Sequence, residues 1–327
     1  MPVHRGGSAL VCVSHSPIIM IRARPPREEA QLLAYYERCA RQIEAFAPER
    51  VIIFGTDHFA GFHLSLMPAY CIGLECSAVA DVGGFPGRLD VPRDDALRLA
   101  QGLRAADFDM AVSYRMKVDH GFSQPLKRLL GAHDRYPAIP LFIGALTPPF
   151  LSFRRTRQLG EAIGRLQKES GRRTLFIGSG GLSHHPTRYY PLVGEGAPDV
   201  AAWQLEGDRS GAFTEEEWLR RIHDSHVEGA QMLVSGQRTR QDIRLNPAWD
   251  QRFLDILGTG DLTALDDWDQ QQLLDEAGVG FLELHTWVCA RAAHLAAGGA
   301  PLLESRYAPA LEYGIGYGMA SAGLAPA

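Results

Sequence analysis

The sequence predicts an α/β fold with a mixed or mainly parallel central sheet, flanked by helices, and a helical C-terminal part. Short apolar runs alternate with stretches of helical spacing as far as about residue 198, and the pattern beyond that point is mostly helical. Alternating strands and helices are typical of a sheet covered by helices on both faces. No low-complexity linker or internal repeat interrupts the 327 residues. We therefore expect a single domain that spans residues 1–327.

Each element follows from a local pattern. Short apolar runs, the last of which leads into glycines, predict strands at 9–14, 50–55, 110–116, 138–146 and 173–181. Apolar positions at helical spacing predict helices at 27–47, 94–106 and 154–170. The first of these helices begins just after two prolines and the second opens with an aspartate, and both are start signals.

The bulk composition excludes several classes of protein. The net charge is −5 with both signs interspersed, which argues against a nucleic-acid-binding protein, because such a protein normally shows a basic face or tail. No stretch approaches 18 unbroken apolar residues, so we expect no membrane span. The N-terminal apolar run breaks at the motif SHSP and no small-x-small cleavage site follows, so we expect no signal peptide. The five cysteines form no C-x-x-C pair, and we expect a reducing, cytoplasmic compartment.

Histidine follows the end of four predicted strands. The four residues are His15, His58, His120 and His184. Ligands of open α/β sheets bind in the crevice outside the carboxyl ends of the strands, so parallel strands would bring these imidazoles to one edge. Capping or surface exposure could explain any one of them. Four at the same topological position predict a shared function.

The chemistry of these side chains indicates a metal-dependent enzyme. Two histidines and one carboxylate on one face of a metal suit non-haem Fe(II) and leave positions open for substrate and dioxygen. Two further histidines could donate and accept protons. The candidate carboxylate is Glu283, the lone acid in an apolar, helical run, although a salt-bridged helix glutamate is the other interpretation.

The same side chains leave two alternatives open. Two histidines and a glutamate also suit Zn²⁺, so a zinc-dependent hydrolase or another metal-dependent oxidase could use the same scaffold. A non-enzymatic protein with a structural metal site is the second alternative, but such a site has no need of acid–base histidines beside it.

Five motifs together resemble a known family. The stretches SHSP, DHFAGF, MKVDHGFSQPL, GSGGLSHHP and ELHTW resemble those of the class III extradiol ring-cleaving dioxygenases, the protocatechuate 4,5-dioxygenase beta-subunit superfamily. The likeness runs from Ser14 to the tail RYAPALEYGIGYG. It implies cleavage of a 3-substituted catechol with Fe(II) and O2 in aromatic catabolism. Members of the family commonly assemble into homo-oligomers.

The resemblance also implies a role for each residue. His15 and His58 match the two iron-ligand histidines, and Glu283 matches the carboxylate ligand. His120 and His184 match the acid–base histidines of the family. In that scheme His184 takes a proton from the catechol as general base, and His120 assists ring opening as general acid.

Three neighbours of these residues are candidates for supporting roles. Asp57 and Asp119 each precede one of the histidines, where they could orient an imidazole or cap a helix. His185 is adjacent to His184, although the family motif usually has one histidine at this place.

Other polar residues are interpreted more simply. We expect His63 to lie in a solvated loop, and His223 and His226 on a solvated helix face. A substrate with a carboxylate tail would need an Arg or Lys beside the ring pocket. Lys117 and Arg188 stand near the motifs, but solvation at the surface is the simpler expectation for both.

Overall fold

The computed structural model describes residues 7–21, 24–186, 192–193 and 196–325. Its strands are β1 (Ser8–Val13), β2 (Arg50–Gly55), β3 (Tyr70–Gly73), β4 (Cys76–Ala78), β5 (Gly87–Arg88), β6 (Ala111–Ser113), β7 (Met116–Val118), β8 (Ala138–Ile143), β9 (Thr174–Ser179), β10 (Leu302–Ala310) and β11 (Ile315–Ala322). Its helices are α1 (Ile18–Ile21), α2 (Glu29–Phe46), α3 (Arg93–Ala105), α4 (His120–Leu130), α5 (Phe153–Ser170), α6 (Pro198–Glu206), α7 (Glu215–Ser235), α8 (Pro247–Thr259), α9 (Gln270–Ala277) and α10 (His285–Ala296).

The strands form a mixed eight-stranded sheet and a small three-stranded sheet. The order of the large sheet is β10-β11-β1-β9-β2-β8-β3-β6, and that of the small sheet is β5-β4-β7. The central strands β1, β9, β2 and β8 are parallel, whereas β11 runs antiparallel to β1 and β3 runs antiparallel to β8. The predicted α/β class with a mixed sheet and flanking helices is confirmed.

One detail of the prediction is wrong. The strand expected at 110–116 is two strands, β6 in the large sheet and β7 in the small one, separated by two exposed residues. The helical C-terminal part is confirmed through α10, after which the described chain forms the hairpin β10–β11. This hairpin places β11 beside the first strand, a long-range pairing that no local sequence pattern reveals.

The core lies on both faces of the large sheet. Successive side chains of a strand point to opposite faces, and β1 shows this directly. Leu10 and Cys12 pack into one apolar cluster together with helices α3, α5, α8 and α10. Ala9, Val11 and Val13 pack into the other cluster, with α2 and α4. Burial on both faces explains why the strand sequence is apolar throughout rather than alternating.

Helices α5 and α10 approach each other closely because α5 presents glycine at the contact. A Cβ atom at Gly160 would overlap the backbone oxygen of Cys289, and one at Gly164 would overlap that of Ala293. The contact fixes α10 against the sheet. It thereby also fixes the segment Val279–Leu284, which leads directly into α10.

A buried carboxylate joins α8 to the loop that follows β9. Asp250 accepts hydrogen bonds from the backbone N of Ser183 (2.7 Å), from the hydroxyl of Ser183 (2.6 Å) and from the hydroxyl of Tyr307 (2.8 Å). Burial raises the pKa of Asp250 to about 6, although these hydrogen bonds act in the opposite direction.

The described helices include none that is long and apolar enough to cross a membrane. All five cysteines lie in the described part of the chain, where they are buried and unpaired.

Candidate active site

Three of the four strand-end histidines form a tight cluster. His15 follows β1 and His58 follows β2, at the carboxyl ends of central parallel strands, as expected. One ring nitrogen from each of His15, His58 and His120 lies within 4.8 Å of the other two. The rings of His58 and His120 stack with centroids 4.5 Å apart.

His120 reaches the cluster by a route that differs from the prediction. It follows β7 of the small sheet and is the first residue of α4. The expectation that all four histidines follow strands of one parallel sheet is therefore wrong for this residue. The helix start, and not the edge of the large sheet, brings its ring into the crevice.

Glu283 lies between His15 and His58. Its Oε1 is 3.0 Å from Nε2 of His58, and its Oε2 is 3.4 Å from Nε2 of His15. Oε2 also accepts a hydrogen bond from the backbone N of Gly181 (2.5 Å), and the side chain is only 1% exposed. The residue belongs to the 3-10 turn Val279–Leu284 rather than to the α-helix that the sequence suggested. Its ionic partners among the described residues are these two histidines, so the alternative interpretation, a salt bridge on a helix, does not apply.

The donor set of His15, His58 and Glu283 fits a bound metal ion. Two ligand atoms that are each about 2.1 Å from a metal and meet at a right angle lie about 3.0 Å apart, close to the separations found here. Burial alone would raise the pKa of Glu283, but the two imidazoles hold it well below its ordinary value. Burial alone would lower the pKa of His58, but Asp119 and Glu283 raise it well above its ordinary value. The carboxylates therefore favour a positive charge between these side chains, as a bound metal ion would provide.

Outer carboxylates hold two of the imidazoles by their Nδ1 atoms. Nδ1 of His58 donates to Oδ2 of Asp119 (3.0 Å), and the same oxygen accepts from the backbone N of His58 (2.6 Å). Nδ1 of His120 donates to Oδ2 of Asp81 (2.5 Å), which also accepts from the backbone N of His120 (3.2 Å). Each pairing fixes the ring and leaves its Nε2 toward the cluster.

His15 is fixed by a chain of contacts that begins at a proline inside α4. Pro125 has no N–H, so the carbonyl of Gly121 lacks its usual helical donor. The hydroxyl of Ser179 donates to that carbonyl (2.5 Å). Since a hydroxyl has one hydrogen, its oxygen accepts from Nδ1 of His15 (2.9 Å). His15 therefore also directs its Nε2 toward Glu283.

His184 stands outside the 4.8 Å cluster but in the same crevice. Its Nδ1 donates to the carbonyl of Leu182 (3.0 Å), which leaves Nε2 available. Its ring lies between two glycines, because a Cβ atom at either Gly181 or Gly280 would overlap it. Burial lowers the pKa of His184, although the charge of Glu283 opposes the shift.

The neighbouring residues divide into different tasks. Asp119 both orients His58 and caps α4 through the backbone N of Gly121 (2.8 Å), so the two expected roles coexist. Asp57 contacts no imidazole; it accepts hydrogen bonds from three backbone N–H groups of its own loop, and burial raises its pKa to about 8. His185 accepts from the backbone N of Val279 (3.3 Å) and lies beside His184 rather than in the cluster.

The crevice opens into a larger pocket with a mostly apolar wall. The apolar part of the wall includes Met67, Phe142, Ile143, Leu146, Trp218 and Ile222. His226 and Arg238 also border this pocket, so the expectation of a solvated helix face is wrong for His226. His223 is exposed, as expected, whereas His63 is partly buried beside Trp203. Arg188 lies outside the described residues.

Sequence reasoning missed three residues that support the site. Asp81, Ser179 and Arg238 each contact a site histidine or border the pocket. Ser179 lies in the quoted GSGGLSHHP motif, and its position at the end of β9 was the only available signal. Asp81 and Arg238 lie outside every motif.

Comparison with known proteins identifies the relatives of this chain. The model of the family described as the catalytic LigB subunit of aromatic ring-opening dioxygenase matches residues 9–316. A 2,3-dihydroxyphenylpropionate/2,3-dihydroxicinnamic acid 1,2-dioxygenase of Burkholderia vietnamiensis is 40% identical over 96% of this chain and 92% of its own length. Proteins with the corresponding name from Pseudomonas putida and Azotobacter vinelandii are 41% and 38% identical, over 91% and 96% of this chain and over 92% and 98% of their own lengths.

Proposed function

This chain belongs to the LigB family of aromatic ring-opening dioxygenases and is an extradiol catechol dioxygenase, and we propose that it cleaves a 3-substituted catechol with Fe(II) bound by His15, His58 and Glu283. The proposed substrate is 2,3-dihydroxyphenylpropionate or a similar catechol, after the names of the relatives. We further propose that His184 and His120 are the proton-transferring residues.

One observation supports the assignment most directly. Four histidines present Nε2 to a single crevice because each Nδ1 is bound to an outer acceptor, namely Ser179, Asp119, Asp81 or the carbonyl of Leu182. Only His15 and His58 also have their Nε2 atoms 3.0–3.4 Å from Glu283. This difference separates the two proposed ligands from the two proposed acid–base residues.

Fe(II) held by His15, His58 and Glu283 would supply Lewis acidity toward the catechol oxygens and redox activity toward O2. The protein residues handle the protons and the orientation of the ring. His184, whose Nε2 faces the crevice, takes a phenolic proton as the catechol binds. His120, fixed by Asp81, supplies a proton to oxygen as the ring opens. The apolar wall around Phe142 and Trp218 holds the ring and excludes water.

The competing metal is Zn²⁺. His15, His58 and His120 also form a three-histidine set with nitrogens within 4.8 Å of one another, a donor set that zinc enzymes use. Membership in a dioxygenase family favours a redox-active metal over the zinc hydrolase alternative. Our proposal therefore assigns Fe(II), with His120 outside the ligand set.

The experiment is anaerobic reconstitution with Fe(II) or, separately, with Zn²⁺, followed by oxygen uptake and near-visible absorbance with 2,3-dihydroxyphenylpropionate. We expect one O2 consumed per catechol and a yellow ring-fission product with Fe(II) alone. Each proton transfer contributes about 10²–10⁴ to the rate, so His120→Ala and His184→Ala should lose turnover by that factor. No uptake by an enzyme with stoichiometric iron would refute the proposal.

Three further expectations belong to the same proposal. The chain acts as a single domain, assembles into a homo-oligomer and works in the cytoplasm, where its five unpaired cysteines would stay reduced. Sedimentation analysis of the reduced enzyme tests the assembly.

A further inference from the structure

We propose that Arg238 binds the carboxylate of the substrate's side chain and so selects catechols with an anionic tail. This inference rests on the proposed function, because it assumes that the ring lies in the crevice beside the histidines. It concerns a residue that lines the same pocket but lies outside every motif.

The pocket has a polar end and an apolar wall. The histidines and Glu283 form the polar end, and the apolar side chains described above form the wall. Among the described residues that line the pocket, Arg238 is the single Arg or Lys. An anionic tail that extends away from the ring would therefore find one permanently cationic side chain among the described residues of the pocket.

Arg238 is built into the wall and does not project into solvent. It follows α7, is 8% exposed, and donates from Nη2 to the carbonyl of His185 (2.9 Å). A guanidinium presents its N–H groups as a planar fork that matches a carboxylate, and it stays charged at all relevant pH values. Its bond to His185 ties it to the residue next to His184. This hydrogen bond thus fixes the position of Arg238 relative to His184, the proposed base.

The acidic residues of the pocket already have hydrogen-bond partners of their own. Asp81, Asp119 and Glu283 are each bound to site histidines, and Asp57 is bound to backbone N–H groups of its own loop. A substrate carboxylate near Asp81, Asp119 or Glu283 would be repelled, whereas one near Arg238 would be attracted. The charge distribution therefore favours an anionic tail that points toward Arg238.

The neighbouring basic residues do not fit this task. Nδ1 of His226 donates to the carbonyl of Ile222 (2.7 Å), so its Nε2 can only accept a hydrogen bond in the neutral ring. Lys117 is exposed and paired with Glu215 (2.8 Å). Arg244 does not line the pocket, and its Nη1 donates to the carbonyl of Leu274 (2.5 Å).

The test compares a charged and a neutral tail of the same length. Wild-type enzyme and Arg238→Met, Arg238→Lys and Arg240→Met variants are assayed with 2,3-dihydroxyphenylpropionate and with 3-propylcatechol. Binding is measured anaerobically by calorimetry, and turnover by oxygen uptake. Arg240 is the matched control because it is an exposed arginine two positions away that does not line the pocket. Thermal unfolding of each variant reports on folding.

We expect Arg238→Met to weaken binding of the propionate and to lower its kcat/KM by about 10- to 100-fold, since a charge-assisted hydrogen bond is lost. Values for 3-propylcatechol should change less than about threefold, and Arg238→Lys should fall between wild type and Arg238→Met. Equal losses for both catechols, or no loss for either, would overturn the inference.

Reversal of the charge at position 238 distinguishes carboxylate binding from a purely structural role, because only carboxylate binding predicts tighter binding of a cationic catechol. Arg238→Glu should bind 3-(2-aminoethyl)catechol more tightly than wild type does, and unchanged or weaker binding counts against the inference. If wild type binds the propionate through Arg238 but consumes no O2, the proposed function fails while the inference stands. If wild type cleaves both catechols with no effect of Arg238, the function stands and the inference fails.

Discussion

Asp81 positions His120, and its removal should therefore slow catalysis through that histidine. Asp81→Ala deletes the acceptor for Nδ1 of His120 (2.5 Å) and for its backbone N (3.2 Å). A hydrogen bond to a charged group contributes about 1.5–3 kcal/mol, and about 1.4 kcal/mol corresponds to a factor of ten in rate. We expect kcat to fall by about 10- to 100-fold. Asp81→Asn retains an acceptor without the charge and should lose less.

The assay is a double-mutant cycle of Asp81→Ala and His120→Ala, with kcat, KM and bound iron measured for each protein. If Asp81 acts through His120, the double variant should be no slower than His120→Ala alone. Iron content should stay near that of wild type in all three, because neither residue belongs to the proposed ligand set. Asp90→Ala is the control, since Asp90 is an exposed aspartate nine positions away.

Multiplicative effects would refute this reasoning. If the double variant loses the product of the two single losses, Asp81 contributes independently of His120. Loss of iron in Asp81→Ala would likewise show that Asp81 supports metal binding rather than the orientation of His120.

Three other predictions concern packing and charge. Gly280→Ala would place a Cβ atom where the ring of His184 lies, so kcat should fall about 100-fold while the enzyme keeps its iron. An unchanged kcat would show that the two glycines do not confine this ring. The pKa of Asp250 is about 6 in the fold against an ordinary 3.8, so its ionised form is disfavoured by folding. The free energy of unfolding of wild type relative to Asp250→Asn should therefore fall by about 2.4 kcal/mol as pH rises from about 4 to about 7, because the unfolded carboxyl ionises before the folded one. Urea denaturation measures this difference, and a rise with pH would contradict the assignment. In the same assay Gly160→Ala should lower the free energy of unfolding by about 1–3 kcal/mol, because its Cβ would overpack the contact between α5 and α10. Gly258→Ala, whose Cβ would meet no atom within 4 Å, should raise the free energy of unfolding by up to about 1 kcal/mol. Equal effects of the two substitutions would contradict the packing argument.

The sequence contained enough local information to indicate most of the residues that the structure brings together in the crevice. His15 and His58 follow buried strands that are apolar throughout, and such strands can be recognised from a few adjacent residues. Glu283 was recognisable because it is the one acid in an apolar run, and burial of a carboxylate requires partners. The family motifs then separated proposed ligands from proposed acid–base residues, which local patterns alone had left open.

What escaped prediction depends on contacts between distant parts of the chain. Asp81 is one of 38 acidic residues, and nothing nearby in sequence marks it as the partner of His120. Arg238 reaches the pocket only because α7 and the turn after it fold over the crevice. The strand β11 pairs with β1 across about 300 residues, so its place in the sheet has no local signature.

The central claim is that His15, His58 and Glu283 hold the metal, whereas His120, which belongs to the same histidine cluster, does not. The most direct measurement is iron content per chain, by elemental analysis after anaerobic reconstitution, for alanine variants at these four positions. The account predicts that His120→Ala retains about one iron and loses turnover, whereas each of the other three loses the iron. Retention of iron by Glu283→Ala together with its loss in His120→Ala would contradict it and indicate a three-histidine site.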